Sequence, residues 1–496
     1  MKKVGDSSQR RLKNMFHYLS KILVIILVAC FILVILANIF AWQSIMLPLA
    51  VFTVLVFSFL AWQRLDFALY VLLSELVLGG AGGRWLSVDF FSIRIIFLGI
   101  LFLIWLYRVL RKKIDLSPIL KSKFSKPLLI LALFFPIFWG LIGWTQGWPG
   151  KYILSDANGF LFYGLFFILI TVLPKRINAR YLVKIYLISI AAAAGILTVL
   201  YFFAVFKVAN IWFLKQLFLG RMFYGGKIGI MPDSALRLFT GNGIFVVIGI
   251  LIFASLVLVK KKLSRKTRNL ILLAILFCHL AIVASYTRGF WVGIIGAAIF
   301  LLFFLPWKSR GKLLAGAITL FIISEIIFQG FFELSFFNFF FNRLATSVSV
   351  QADPVSLGGR LSQVRVLGGA ILRHPFWGIG FGAYFSDYRT IQDVADPYSF
   401  ELGYLDMTVK FGIIGFAFWG LIILGIFAKG LKLLWFKFDL ARGDRALILG
   451  FLSGLVSLLI VGGTSPFLMS AFGITHIILT IYILEIISWN KKIPSR

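Results

Sequence analysis

Residues 243–262 read GIFVVIGILIFASLVLVKKK. The apolar part carries no charge, and at 1.5 Å per residue it approaches the roughly 30 Å of bilayer hydrocarbon. Three lysines then end it, a stop expected where a helix leaves the membrane. The same pattern recurs along the 496 residues, at roughly 22–41, 45–61, 66–80, 91–107, 127–145, 157–173, 185–206, 237–259, 269–287, 290–305, 312–330, 400–427, 446–462 and 465–487. The third run is short for a span and is expected to be tilted or broken. Hydrophobic residues make up 61% and charged ones 14%, against about 45–50% and about 25% in soluble domains. A water-soluble fold and a disordered chain are both excluded. The expectation is one all-α polytopic integral membrane domain over residues 1–496, with about 14 transmembrane helices (12–14).

The charge balance is 50 Lys+Arg to 18 Asp+Glu, a formal +32. In a soluble protein this would suggest nucleic acid, but here the basic residues sort by side. Counting alternate connections, 35 of the 50 fall with the two termini, including Arg111-Lys112-Lys113, Lys260-Lys261-Lys262 and Lys491-Lys492. By the positive-inside rule that side is cytoplasmic, so both termini face the cytoplasm and no nucleic-acid partner is needed. Cys30 and Cys278 lie inside apolar runs and imply neither a disulfide framework nor a metal site. No cleavable signal peptide is read at the start.

The opposite, extracytoplasmic side has two long connections, 207–236 and 331–399. The second is too long for a structureless loop in a compact protein. Apolar residues at 361, 364, 367, 371 and 372 predict an interfacial helix over Leu361–Leu372; Phe336–Phe341 is expected to dip into the membrane surface. Gly378, Gly380 and Gly382 are placed for sharp backbone turns. The remaining 15 basic residues run against the charge rule. Among them are Arg94, Arg237 and Arg288 at helix ends and Arg360, Arg365 and Arg373 on the loop helix. Each can snorkel to headgroups. Arginines converging on one cavity would instead grip an anion delivered from the membrane, such as a lipid diphosphate, through bidentate guanidinium forks.

Glu401 opens the helix after the long loop. It reads either as a general base for a sugar hydroxyl or as an acid favoured by the helix dipole. Asp396 and Tyr398, in an Asp-Pro-Tyr turn, are weaker acceptor-side candidates, as is His374, whose default is a helix C-terminal role. Glu75 and Glu325 lie within spans and can pair with neighbouring arginines. His279 and His476 read as interhelical hydrogen bonders. No HExxH, P-loop, GxSxG or dinucleotide fingerprint is present, so neither a metal nor a nucleotide cofactor is expected.

Ser285-Tyr286-Thr287-Arg288-Gly289-Phe290-Trp291-Val292-Gly293 resembles the S-x-[ST]-R-G-x-W-x-G hairpin of the bacterial O-antigen ligase and polysaccharide polymerase superfamily. Gly359-Arg360, then Arg373-His374-Pro375-Phe376-Trp377-Gly378-Ile379-Gly380-Phe381-Gly382, resembles that family's loop, and Lys410-Phe411-Gly412-Ile413-Ile414-Gly415 its ending. The resemblance covers about residues 237–430. It implies a GT-C-like, metal-independent membrane glycosyltransferase of the bacterial inner membrane. Its donor would be an undecaprenyl-diphosphate-linked glycan and its acceptor another glycan or glycolipid. It implies further that Arg288 and Arg360 hold the diphosphate, with a further arginine near Arg237; in the mechanism we expect, Arg237 or Arg365 assists. Ligases usually carry a His before the helix after the long loop, and 397–405 has none. Glu401 is the nearest proton acceptor, which favours a polymerase over a ligase. A lipid-linked-sugar flippase is the competing class, expected to show two related halves.

Overall fold

A computed structural model describes residues 43–79, 87–88, 91–206, 227–230, 236–260, 263–332, 335–345, 354–385, 400–436 and 440–489, with scattered positions from 22 to 33. It is an all-α polytopic membrane protein. The first half holds α1 (Gln43–Gln63), α2 (Leu65–Leu78), α3 (Ile93–Leu110), α4 (Ser125–Thr145), α5 (Gly150–Val172) and α6 (Arg176–Val205). Then come α7 (Gly243–Val259), α8 (Arg265–Ser285), α9 (Arg288–Phe304), α10 (Trp307–Phe332), α11 (Phe336–Ala345) and α12 (Pro354–Arg373). The chain closes with α13 (Gly403–Phe436), α14 (Arg442–Gly462) and α15 (Ala471–Trp489).

Among the described residues nine helices are long and apolar enough to cross a membrane, and three shorter apolar ones accompany them. Thirteen of the fourteen apolar runs read from the sequence coincide with helices; the run at 22–41 lies largely outside the described residues. At 14 residues, α2 reaches only about 21 Å and cannot span by itself. Two antiparallel pairs are added: β1 (Ser87–Val88) with β2 (Phe91–Ser92), and β3 (Lys227–Ile230) with β4 (Leu236–Phe239).

The bundle is organised from inside outward. Helices α7, α14 and α15 form its centre, and nearly every residue of α7 and α15 is buried. Helix α10 is peripheral and shows Leu314, Ile318, Ile322 and Ile326 to the surroundings, the apolar exposure a lipid-facing helix should have. Where lipid offers no apolar gain between helices, polar groups tie them. His279 Nε2 meets Ser324 Oγ at 2.6 Å, and His476 Nε2 meets Phe451 O at 3.1 Å. Both histidines are therefore interhelical hydrogen bonders. At the end opposite Arg360, Lys429 pairs with Glu485, which also accepts Ser122 Oγ at 2.6 Å, and Arg176 pairs with Asp444.

The long connection 331–399 is largely helical where it is described. Helix α12 extends the expected 361–372 helix in both directions. The Phe-rich helix α11 lies over the hairpin between α8 and α9 rather than only at the membrane surface. Phe336 and Phe339 are buried, whereas Phe337 and Phe341 are exposed. Phe339 packs edge-on to Tyr286 at 4.6 Å, and Phe340 against Trp291 at 4.9 Å. Among the described residues Glu325 has partners other than the arginine the sequence suggested. It accepts Gln329 Nε2 and the backbone N–H of Phe337, both at 2.7 Å, and so caps α11.

Candidate functional site

Helix α8 ends at Ser285, and Tyr286 turns the chain through the left-handed region, φ +50°. Thr287 Oγ1 donates to Ser285 O at 3.0 Å, which fixes a hairpin tight enough for α9 to begin at Arg288. Arg288 is half-buried at the mouth of this hairpin.

Arg237 does not begin a helix. It lies on β4, opposite Gly229 of β3, where Leu236 and Leu238 are buried and Arg237 and Phe239 are half-buried. That period-2 alternation marks a strand, and α7 starts only at Gly243. From β4 the Arg237 Nε donates to Ser285 O at 3.2 Å. The hairpin that presents Arg288 therefore also anchors Arg237.

The link to Glu401 runs through the turn after α14. A Cβ added to Gly289 would stand 2.8 Å from Thr464 Oγ1, and one added to Gly403 would stand 2.3 Å from Gly462 O. The starts of α9 and α13 thus rest on the same turn, and Arg288 and Glu401 belong to one end of the bundle.

Helix α12 completes the arrangement. Arg360, Gln363, Leu367 and Ala370 share a face at i, i+3, i+7 and i+10; Gln363, Leu367 and Ala370 are buried. Gln363 Oε1 accepts the backbone N–H of Glu401 at 3.0 Å, and Arg360 Nε donates to Glu401 Oε2 at 3.3 Å. The two side chains keep 29% and 42% exposure, so the pair is open to a ligand.

The remaining candidates fall elsewhere. Arg365 is exposed and turned about 140° around α12 from Arg360. Arg373, also exposed, donates to Gly369 O in its own helix. His374 closes α12 through its backbone N–H to Ala370 O at 3.0 Å, with its ring side exposed. Arg94 is committed to Glu75 at 2.8 Å inside the bundle. Asp396 and Tyr398 lie outside the described residues.

After α12 the chain turns through Gly378, Gly380 and Gly382, at φ +68°, +84° and +79°, as their spacing led us to expect. What the sequence did not suggest is the partner of this turn. Helix α13 is broken at Gly412, φ +65° and ψ −176°, and a Cβ there would stand 2.0 Å from Phe376 O. Backbone groups on both sides of the break are recovered across the contact. Ile379 N and Gly380 N donate to Val409 O and Lys410 O, and Ile413 N donates to Pro375 O. Interrupted helices survive at membrane depth only with such replacement. The two family-like motifs at 373–382 and 410–415 are therefore one interlocked structure.

Sequence reading also missed a buried ionic cluster beside this joint. Lys410 Nζ lies 2.9 Å from Asp156 Oδ1 and 2.8 Å from Asp406 Oδ1, all three side chains buried. Asp156 Oδ2 accepts the Gly382 N–H at 2.7 Å. Three charges inside apolar helices were the available signal, but nothing local joins Asp156 to Lys410.

The O-antigen ligase family model matches residues 270–420. The match runs from within α8 into α13 and takes in the Arg288 hairpin, α12, the glycine turn, Glu401 and the break at Gly412. No curated protein matches the chain. Over residues 270–420, under a third of its length, this multi-pass membrane protein is therefore similar to the O-antigen ligase family.

Proposed function

We propose that the protein is a membrane glycosyltransferase that moves a glycan from an undecaprenyl-diphosphate donor to an acceptor sugar, and that it polymerises lipid-linked repeat units. The observation that carries this is the Arg360–Glu401 pair: a phosphate-gripping side chain and a proton acceptor 3.3 Å apart and accessible, inside the region matched by the family model. Arg288 and Arg360 hold the diphosphate, with Arg237 assisting from β4. Their positive charge stabilises the leaving group, the electrostatic contribution expected to be largest, and makes a metal unnecessary.

In the ligand-free chain Glu401 occupies Arg360. An incoming diphosphate carries more charge and presents several oxygens to the guanidinium fork, so it displaces the carboxylate. Glu401 is then released to take the proton of the acceptor hydroxyl. The acceptor oxygen bonds to the anomeric carbon as the sugar–phosphate bond breaks. The diphosphate leaves with the electron pair, and the anomeric configuration inverts. Helices α11 and α12 cover the reacting groups. The asymmetry of basic residues supports an extracytoplasmic site with both termini in the cytoplasm; the apolar runs support about fourteen spans, and the family resemblance an inner-membrane location and a GT-C-like arrangement.

The family description favours a second reading, transfer to lipid A core or another non-identical acceptor, as in a ligase. The stretch 397–405 without a His favours the polymerase. Purified protein incubated with a defined undecaprenyl-diphosphate oligosaccharide decides between them. Longer lipid-linked products mean polymerase, and product only after adding a different acceptor means ligase. Arg288→Ala and Arg360→Ala should each abolish transfer with the protein still inserted. Full activity in the double variant would refute the mechanism.

A further inference from the structure

The Lys410 cluster is absent from the chemistry above, yet burying three ionisable groups at membrane depth is costly. Its connections lead to the site. Through its ammonium, Lys410 joins α5 (Asp156) to the first turn of α13 (Asp406). Through its carbonyl it accepts Gly380 N–H at 3.0 Å, while Asp156 accepts Gly382 N–H at 2.7 Å. The glycine turn is thus held from both ends of one residue. The ammonium also lies 5.7 Å from the centre of the Phe400 ring, on the side chain that precedes Glu401. Phe400 is fully buried and packs against Phe385 at 5.8 Å, just beyond the same turn. Residue 401 can therefore move only if Phe400, the turn or the first half of α13 moves with it.

We propose that Lys410, clamped by Asp156 and Asp406, is the positioning residue that sets where Glu401 stands against Arg360. The inference rests on the proposed function in taking those two as the reacting groups. Lys410 touches neither donor nor acceptor. It converts the turn, the α13 start and α5 into one rigid mount, which together with the Gln363 contact to the Glu401 N–H keeps the carboxylate within reach of both the guanidinium and an acceptor hydroxyl. A misplacement on the order of 1 Å costs about 10²-fold in rate.

The test reads position directly. In a chain with Cys30→Ala and Cys278→Ala, the pair Arg360→Cys/Glu401→Cys is bridged with a short bis-methanethiosulfonate. The rate is then compared after Lys410→Met and after the neutral triple Asp156→Asn/Lys410→Met/Asp406→Asn. The triple variant, which leaves no uncompensated buried charge, covers the case in which Lys410→Met alone, which strands two buried carboxylates, does not fold. The expected result is bridging slowed several-fold in the triple variant at an unchanged melting temperature. Unchanged bridging overturns the proposal, and so does a fall in bridging only in step with melting temperature. In parallel, without the cysteine substitutions, the triple variant should lose about 10²-fold in kcat at an unchanged KM for the undecaprenyl-diphosphate donor. Wild-type kcat in that variant would also overturn the proposal. If the wild-type protein itself extends no lipid-linked glycan, the glycosyltransferase reading fails, while the bridging rates still decide the role of Lys410.

Discussion

Among the described residues two Arg–Glu pairs differ in almost every physical respect. Arg94 and Glu75 join α3 to α2 at 2.8 Å, with 3% and 1% of their side chains exposed. Phe472 lies 5.0 Å beneath the guanidinium. Arg360 and Glu401 join α12 to the start of α13 at 3.3 Å, with 29% and 42% exposed. The first pair is enclosed by the fold, and separating it would leave a charge buried in an apolar interior. The second is partly exposed, where either partner can exchange the other for a ligand or water at little cost. The same two residue types thus act as a structural pin in one place and as an exchangeable contact in another. Enclosure, rather than identity, makes the difference.

The contrast can be broken most severely at the chemistry. Glu401→Gln should lower the transfer rate by about 10²–10⁴-fold, measured as elongation of undecaprenyl-diphosphate oligosaccharide by purified protein. A near-normal rate would place the base elsewhere. Stability separates the pairs next. Arg94→Ala should destabilise the protein by about 3–5 kcal/mol, whereas Arg360→Ala should cost less than about 1 kcal/mol. Unfolding of both variants in the same detergent checks this, and equal losses would show that the second pair is as structural as the first. The smallest effect is the most discriminating. Because Glu401 competes with the diphosphate for Arg360, Glu401→Gln should bind undecaprenyl diphosphate about two- to five-fold more tightly than wild type. The gain should shrink as salt is raised, and it should disappear when Arg360→Ala is added. Weaker binding by Glu401→Gln would mean that the carboxylate assists the anion instead of competing with it.

Several elements were legible because their signal is local. Apolar run length placed thirteen helices, and α12 followed from its apolar periodicity. The positive φ at Gly378, Gly380 and Gly382 followed from residue type at that spacing. Arg237 was misplaced because the run at 237–259 continues without a break into an apolar pair of strands; only the alternation of Leu236 and Leu238 with Arg237 and Phe239 separates strand from helix. The break at Gly412 was hidden for the opposite reason: in an apolar stretch that also holds Gly415, Gly420 and Gly425, nothing marks which glycine interrupts the helix until a second segment arrives to take up its released hydrogen bonds.

From the residues alone came the membrane class, the candidate spans, the basic bias to one side, and the short set of arginines and acids from which a site could be drawn. Those properties depend on composition and on neighbours a few positions away. Which arginine is already committed to Glu75, which faces Glu401 and which points away on α12 were decided only by packing. Asp156 and Lys410 are 254 positions apart in the chain, and no periodicity or charge count reaches across that separation. An ion pair forms where two charges are brought close and cut off from water, and only the assembled bundle sets both conditions.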